Sequence, residues 1–401
     1  MRRDPLRVAL FTGNFNYTTD GATQALGRLV SHLREAEGAQ VRIYSPTSPD
    51  SPDVEGLWPI PSIALPGRAE YRLGLGISAA TRSDLISFAP DVLHLATPDL
   101  VGFQAQRLGR QLGRPIIASL HTRFETYLAY YGLAFLEPVL EQRLMAYYGR
   151  CDYVLVPNAP MAEAMSVGPL QRRVRIWSRG VDRALFDPLR RSSDWRRAQG
   201  FSDDDFVVLF FGRVVVEKGL ATFADAFDQL RAERPRARAL VVGDGPARAW
   251  MTQRIPDATF TGFLRGAELA TAVASADALL NPSATEAFGN VNLEAMACAL
   301  PVVSADMPNS RGMMRHGVSG LLHAATDING YVASLRRLQD DPAFRARLGQ
   351  AAREASAAYS WTAALSSVAD TYREAIEKAG RPEVVRTVRT GGALLTLGDE
   401  A

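Results

Sequence analysis

Ala278-Leu279-Leu280-Asn281-Pro282-Ser283-Ala284-Thr285-Glu286-Ala287-Phe288-Gly289-Asn290-Val291-Asn292-Leu293-Glu294 reads as three pieces in succession. An apolar strand ends at Asn281, a Pro/Ser loop follows, and Gly289-Asn290 opens a helix. A continuously apolar strand feeding a helix is the unit of a parallel sheet covered on both faces. The unit recurs on either side, with strands expected at 206–211, 239–242, 259–261 and 301–304. Helices are expected at 219–233, 246–254, 266–275, 289–298 and 327–339. The first half has the same rhythm: strands at 6–12, 41–44, 92–96, 116–120 and 153–156, and helices near 22–36, 79–88, 100–112, 134–149 and 159–167. The stretch 47–76, rich in Pro, Gly and Ser, is expected to be an irregular exposed loop. The polar, strand-free join around Asp187-Pro188-Leu189 to Ser192-Ser193-Asp194 puts a boundary near 190. The expected organisation is a doubly wound α/β domain over 1–190 and a second over 191–360. A helix over 361–380 crosses back to the first domain, and 381–401 forms a flexible tail.

Composition narrows the classes. The 401 residues are 47% apolar and 22% charged, with a net charge of +2, which suits buried cores and excludes wholesale disorder. Residues 1–190 carry 21 basic and 18 acidic side chains and the remainder 24 and 25, so neither half has the basic excess of a nucleic-acid-binding domain. No apolar run is long enough to span a membrane, and Met1-Arg2-Arg3-Asp4-Pro5 leads into a strand, not a signal peptide. Cys151 and Cys298, far apart in apolar surroundings, read as reduced core residues of a cytoplasmic protein.

Several motifs fail on inspection. Gly243-Asp244-Gly245 lacks the third glycine of a dinucleotide fingerprint, where Arg248 stands instead. Lys218 lacks the Ser or Thr that a Walker loop places after its lysine. Asp203-Asp204-Asp205 precedes a strand, at the wrong end of the sheet for a ligand site, and reads as a solvated turn. No Cys/His group has zinc spacing, and no metal site is expected.

Two signals remain. Glu286 and Glu294 lie eight residues apart, about two turns of helix, beside the free N–H groups of a helix start, a setting for an anion or a set of sugar hydroxyls. Gly212-Arg213-Val214-Val215-Val216-Glu217-Lys218-Gly219 sets an arginine and one of only two lysines in the chain on a strand-to-helix turn, a pairing that suits a diphosphate. Each alone also fits a capping carboxylate or a solvated turn; together they point to one face of one domain.

These two runs, with Ser178-Arg179-Gly180-Val181-Asp182 followed by Phe186 and Pro188, resemble family 4 of the retaining glycosyltransferases over roughly residues 7 to 375. Thr285-Glu286-Ala287-Phe288-Gly289-Asn290-Val291 resembles the glycolipid-forming branch with sulfoquinovosyl, glucuronosyl and GDP-mannose-dependent α-mannosyltransferases. The resemblance implies the GT-B fold, two Rossmann-like domains facing an interdomain cleft. It implies that Glu286 and the backbone of Phe288, Gly289, Asn290 and Val291 hold the donor hexose, that Glu294 bonds the ribose, and that Arg213 and Lys218 neutralise the diphosphate. His121 matches the family histidine beside the sugar. Gly21 matches the second of two adjacent glycines that approach donor and acceptor, Asp20 standing where many relatives have the first. The implied reaction is metal-free, front-face transfer that retains configuration, with a nucleotide diphosphate sugar as co-substrate and no cofactor.

The aromatic run from Phe124 to Phe135 beside His121, with Arg107, Arg110 and Arg114 nearby, suits a lipid or glycolipid acceptor and a reversible membrane-surface contact on the inner face of the cell membrane. Ordinary helix packing explains the same aromatics. A nucleotide-sugar epimerase of GT-B shape and a non-catalytic nucleotide-sugar-binding subunit are the other readings. Donor incubated alone would expose the first as C2-epimerised sugar.

Overall fold

The computed structural model describes residues 5–15, 21–48, 51, 53–65, 68–121 and 134–380. Its first sheet has seven parallel strands in the order β3-β2-β1-β6-β7-β8-β9. They are β1 (Arg7–Phe11), β2 (Gln40–Pro46), β3 (Leu57–Ile60), β6 (Val92–Leu95), β7 (Ile116–Ser119), β8 (Tyr153–Val156) and β9 (Val174–Ile176). The antiparallel pair β4 (Ser62–Leu65) and β5 (Arg68–Gly74) stands apart. The second sheet is parallel throughout, in the order β12-β11-β10-β13-β14-β15. Its strands are β10 (Phe206–Phe211), β11 (Ala237–Val242), β12 (Thr259–Gly262), β13 (Ala278–Asn281), β14 (Val302–Ala305) and β15 (Leu321–His323). Counted within its own half, this is the order 3-2-1-4-5-6 of a dinucleotide-type sheet, and the first sheet begins the same way.

The central strands are buried along their whole length, as a sheet with helices on both faces requires. Each sheet carries a hydrophobic cluster on either face. Cys151 and Cys298 are buried and unpaired, one in each half.

The helix Trp361–Ala379 leaves the second half and packs on the first. Ala364, Leu365, Val368, Ala369, Tyr372 and Ala375 share a cluster with Val8, Leu26, Leu29 and Trp177. Its docking depends on Gly180, where a Cβ would lie 2.1 Å from the Trp361 backbone nitrogen.

The expected irregular loop at 47–76 is corrected by the structure. It contains β3, β4 and β5, whose signal was masked because β3 is an edge strand that includes Pro59 and the pair is exposed on one side. The Asp203 run forms the expected turn: Asp203 and Asp204 pair with Arg197 and Arg236, and Asp205 accepts from Ser202 N. The tail from Arg381 lies outside the described residues.

Candidate functional site

The site grows from the carboxyl ends of β10 and β13, neighbours in the second sheet. After β10, Gly212 turns the chain at φ 135°, and one 3-10 turn, Val216–Lys218, closes on Lys218 N to Val215 O at 3.0 Å. Gly219 follows in the left-handed region at φ 73°, and a Cβ there would lie 2.9 Å from Pro282 O. Only glycine lets this turn lie against the loop after β13. Thr285 Oγ1 fastens the loops by donating to Glu217 O at 3.1 Å. Lys218 Nζ thereby reaches Glu286 Oε1 at 2.5 Å, with only 23% and 15% of the two side chains exposed. The two strongest sequence signals thus meet in one ion pair. Arg213, half-buried, stands on the same turn.

Gly243 and Gly245 belong to the support beneath this turn. Val214 N donates to Asp244 O at 2.9 Å, and a Cβ on Gly243 would come within 1.9 Å of Gly212 O. Close packing of two strand-to-helix loops explains the motif that failed as a fingerprint.

Gly289, at φ 96°, starts the helix Asn290–Ala297. Asn309 Nδ2 holds the Phe288 carbonyl at 3.1 Å, and the Phe288 ring is buried edge-on against Tyr359. A buried chain, Asn281 to Asn292 to Ser304 to Ser310, ties the base of the helix to β13 and β14. Asn292 is therefore a framework residue. Val291 is half-buried and packs on the apolar cluster, while Asn290 Oδ1 is buried without a hydrogen-bond partner.

Burial pushes the Glu294 carboxyl up to about 8, opposed by the guanidinium of Arg28 on the first helix, Gly21–Glu35. The folded chain keeps a proton there that an unfolded glutamate, with an ordinary value of 4.5, has released. Stability carried by this group is full below about pH 4.5 and falls as pH rises toward 8, by up to about 1.4 kcal/mol per pH unit. Glu294→Gln, isosteric and always neutral, is expected to gain stability over the wild type progressively from pH 5 to 8. Urea unfolding at each pH measures this; parallel pH profiles would show that Glu294 is ionised in the fold.

The first half closes the site from the opposite side. A Cβ on Gly21 would lie 2.7 Å from Asn290 Nδ2, so the start of the first helix abuts the start of the glutamate helix. Asn158, after β8, caps its own helix through Met161 N and donates to Ala287 O across the cleft at 3.0 Å. His121 follows β7 beside it. Both of its ring nitrogens are engaged, Nδ1 with Arg179 at 2.9 Å and Nε2 with Ser119 Oγ at 2.8 Å. Burial, then the nearby charge of Arg179, drives its pKa well below the ordinary value, so the ring is neutral.

Nine of the ten residues singled out in the sequence thus lie on loops or helix starts at the facing carboxyl edges of the two sheets, and Glu294 lies one turn into the helix Asn290–Ala297. Asn158, Arg28 and Arg179 were missed. Asn158 shows in sequence only as a helix cap, and Arg179 only as a member of a motif. Thr19, Asp20 and the aromatic run, apart from Ala134 and Phe135, lie outside the described residues. Among those described, Phe135 is 73% exposed.

Comparison with known proteins agrees with this fold. Residues 19–185 match the family model described as Glycosyltransferase Family 4, and residues 192–355 match that described as Glycosyl transferases group 1. A sulfoquinovosyl transferase of Arabidopsis thaliana is 30% identical over 376 residues, covering 91% of this chain and 72% of that one. A GDP-mannose-dependent alpha-mannosyltransferase of Mycolicibacterium smegmatis is 31% identical over 364 residues, covering 89% of this chain and 94% of that one. The structure of sucrose-phosphate synthase from Thermosynechococcus elongatus matches with a TM-score of 0.75 over 93% of this chain and 100% of that one, at 21% identity, a likeness of fold. The chain is a family 4 glycosyltransferase of GT-B fold, akin to the glycolipid-type branch to which those two relatives belong.

Proposed function

We propose that this enzyme moves a hexose, with retention and without a metal, from GDP-mannose or a UDP-sugar to a hydroxyl of a membrane lipid or glycolipid. The observation that carries the reading is the Lys218–Glu286 pair at the mouth of the second sheet, beside the helix start at Asn290 that meets Gly21 of the first half. Departure of a nucleoside diphosphate requires positive groups aimed at charge that grows on the leaving oxygens. Arg213 and Lys218 supply them, backed by the start of the helix Asn290–Ala297. Glu286 exchanges its lysine contact for hexose hydroxyls, and Glu294 bonds the ribose. The leaving phosphate takes the acceptor proton, since neutral His121 has no free ring nitrogen and Glu286 is committed to the sugar. Closure of the two halves around the donor keeps out water that would hydrolyse it.

The relatives named as sulfoquinovosyl and mannosyl transferases support this donor chemistry. Among the described residues no helix is long and apolar enough to cross a membrane, so a lipid acceptor is met by reversible contact at the inner face of the cell membrane. Exposed Leu100 and Phe103 at the start of one helix and Phe135 before the next lie on the carboxyl side of the first sheet and suit that contact.

Thermal shift across UDP-, GDP- and ADP-sugars identifies the donor, because ligand at a hundred times its Kd adds about 2.7 kcal/mol. With that donor, Glu294→Ala is expected to weaken the whole series, bare diphosphate included, by about 1–3 kcal/mol. Glu286→Ala should leave diphosphate binding nearly unchanged and lower turnover onto lipid acceptor. Equal losses for diphosphate and sugar-diphosphate in both variants would overturn this division of roles. Donor converted without acceptor to its C2 epimer would replace transfer with epimerisation.

A further inference from the structure

Arg179 is 4% exposed and has no acidic partner among the described residues. Its Nη1 donates to the carbonyls of Trp177 and Ser178 at 3.0 and 3.4 Å, and its Nη2 to His121 Nδ1 at 2.9 Å. The guanidinium lies 4.9 Å from the Trp177 ring centroid. A buried cation without a counter-charge is costly, so its presence here calls for a use. A guanidinium can only donate, so His121 Nδ1 must be bare and the proton must sit on Nε2, directed at Ser119 Oγ. A second proton on the ring would set N–H against N–H and one positive charge against another.

The contact continues inward. Ser119 Oγ also meets His94 Nε2 at 2.8 Å, and His94 Nδ1 meets the Tyr372 hydroxyl at 2.5 Å. Trp177 packs edge-on against both histidines, at 5.1 and 5.8 Å between centroids. A line of polar contacts thus runs from the cleft through the first sheet to the helix Trp361–Ala379.

We propose that Arg179 is a positioning residue of the transfer reaction, which with Ser119, His94 and Tyr372 holds His121 as a neutral, single-tautomer ring at the edge of the cleft. This rests on the reading of the cleft as a hexosyl-transfer site. Held so, His121 shapes the hexose side of the cleft without adding charge beside the diphosphate cations and without competing for the acceptor proton. Arg179 and His94 are the charged or titratable groups that bear on its ring, and burial lowers the pKa of both.

The test begins with the ligand-free wild type. The chain has five histidines, so ring nitrogen NMR of histidine-labelled protein resolves them. His121 is expected with Nδ1 bare, Nε2 protonated and no titration between pH 5 and 8. A His121 that carries its proton on Nδ1, or that titrates in that window, overturns the proposal whatever any variant does. Arg179→Met should release the tautomer and lower kcat by roughly 10- to 100-fold with KM for the donor little changed. Arg179→Lys, which keeps a cationic donor, should retain the tautomer and much of the rate. An Arg179→Met protein with the wild-type His121 signature, or with wild-type kcat, refutes the positioning role. Failure of the wild type to transfer hexose from any donor sinks the proposed function instead, and leaves the tautomer measurement to decide the contact.

Discussion

Lys218→Ala is expected to lower kcat by about 10²–10³, with a smaller rise in the donor KM. Lys218 supplies a desolvated point charge at the mouth of the second sheet, held by a 3-10 turn that Gly219 presses against Pro282. Charge moves onto the leaving oxygens as the glycosidic bond breaks, so a contact there strengthens from ground state to transition state, and its loss shows in turnover. The substitution also leaves the Glu286 carboxylate without its cation. Lys218→Arg should recover only part of the rate, because a planar fork does not fit a turn shaped around a compact ammonium. Arg213→Ala should fall in the same range, and the wild type should keep its activity in EDTA. Steady-state kinetics with the donor found by thermal shift read all four results. Full turnover in both Lys218→Ala and Arg213→Ala would remove these cations from the leaving-group site, and loss of activity in EDTA would assign the phosphates to a metal.

The second large effect is on stability. Gly180→Ala is expected to lower the unfolding midpoint of the first half by roughly 5–15 °C, from a cost of about 2–4 kcal/mol. The added carbon would stand 2.1 Å from Trp361 N and 2.6 Å from Trp361 Cα, backbone atoms that no rotamer change can move. Relief requires the helix Trp361–Ala379 to retreat from the pocket that receives Val368, Ala369 and Tyr372, all fully buried. Calorimetry of the variant should show the lower transition moved and the transition of the second half unchanged. A profile identical to the wild type would mean that this junction yields at no cost.

Much of this arrangement was legible because the chemistry is local. Strands β8, β10 and β13 coincide with the expected 153–156, 206–211 and 278–281, since a strand covered on both faces is apolar throughout and bounded by turn residues. Lys218 and Glu286 were legible because each sits in its own strand-to-helix loop, and a doubly wound sheet brings such loops to one edge. Edge elements were not. Three-residue β9, Val174-Arg175-Ile176, carries an arginine, and β15 is equally short. The helix Pro342–Ser356 escaped notice because Pro342 reads as a breaker, although after the Asp341 cap it occupies a helix start, where its missing N–H costs nothing. Arg179 was legible only as a member of a motif, without a role. Its role depends on β9 bringing it to a histidine 58 residues away, a pairing that no local pattern encodes.

The crossing helix also sets the order in which the protein can mature on the ribosome. What the second sheet's core draws on lies in one uninterrupted stretch, from Val181 to Tyr359, and is complete before Trp361 is made. The first sheet closes with β9 at Ile176, then waits through 192 to 196 residues of synthesis for Val368 and Tyr372 to fill its side. Until they arrive, Val8, Leu26, Leu29 and Trp177 lack their cover, and His94 lacks the hydroxyl that meets its Nδ1. Contacts between residues so distant in the chain form late and leave apolar surface open meanwhile. The half translated first is therefore the half finished last, and a chain truncated near residue 360 would carry a completed second half beside an unfinished first.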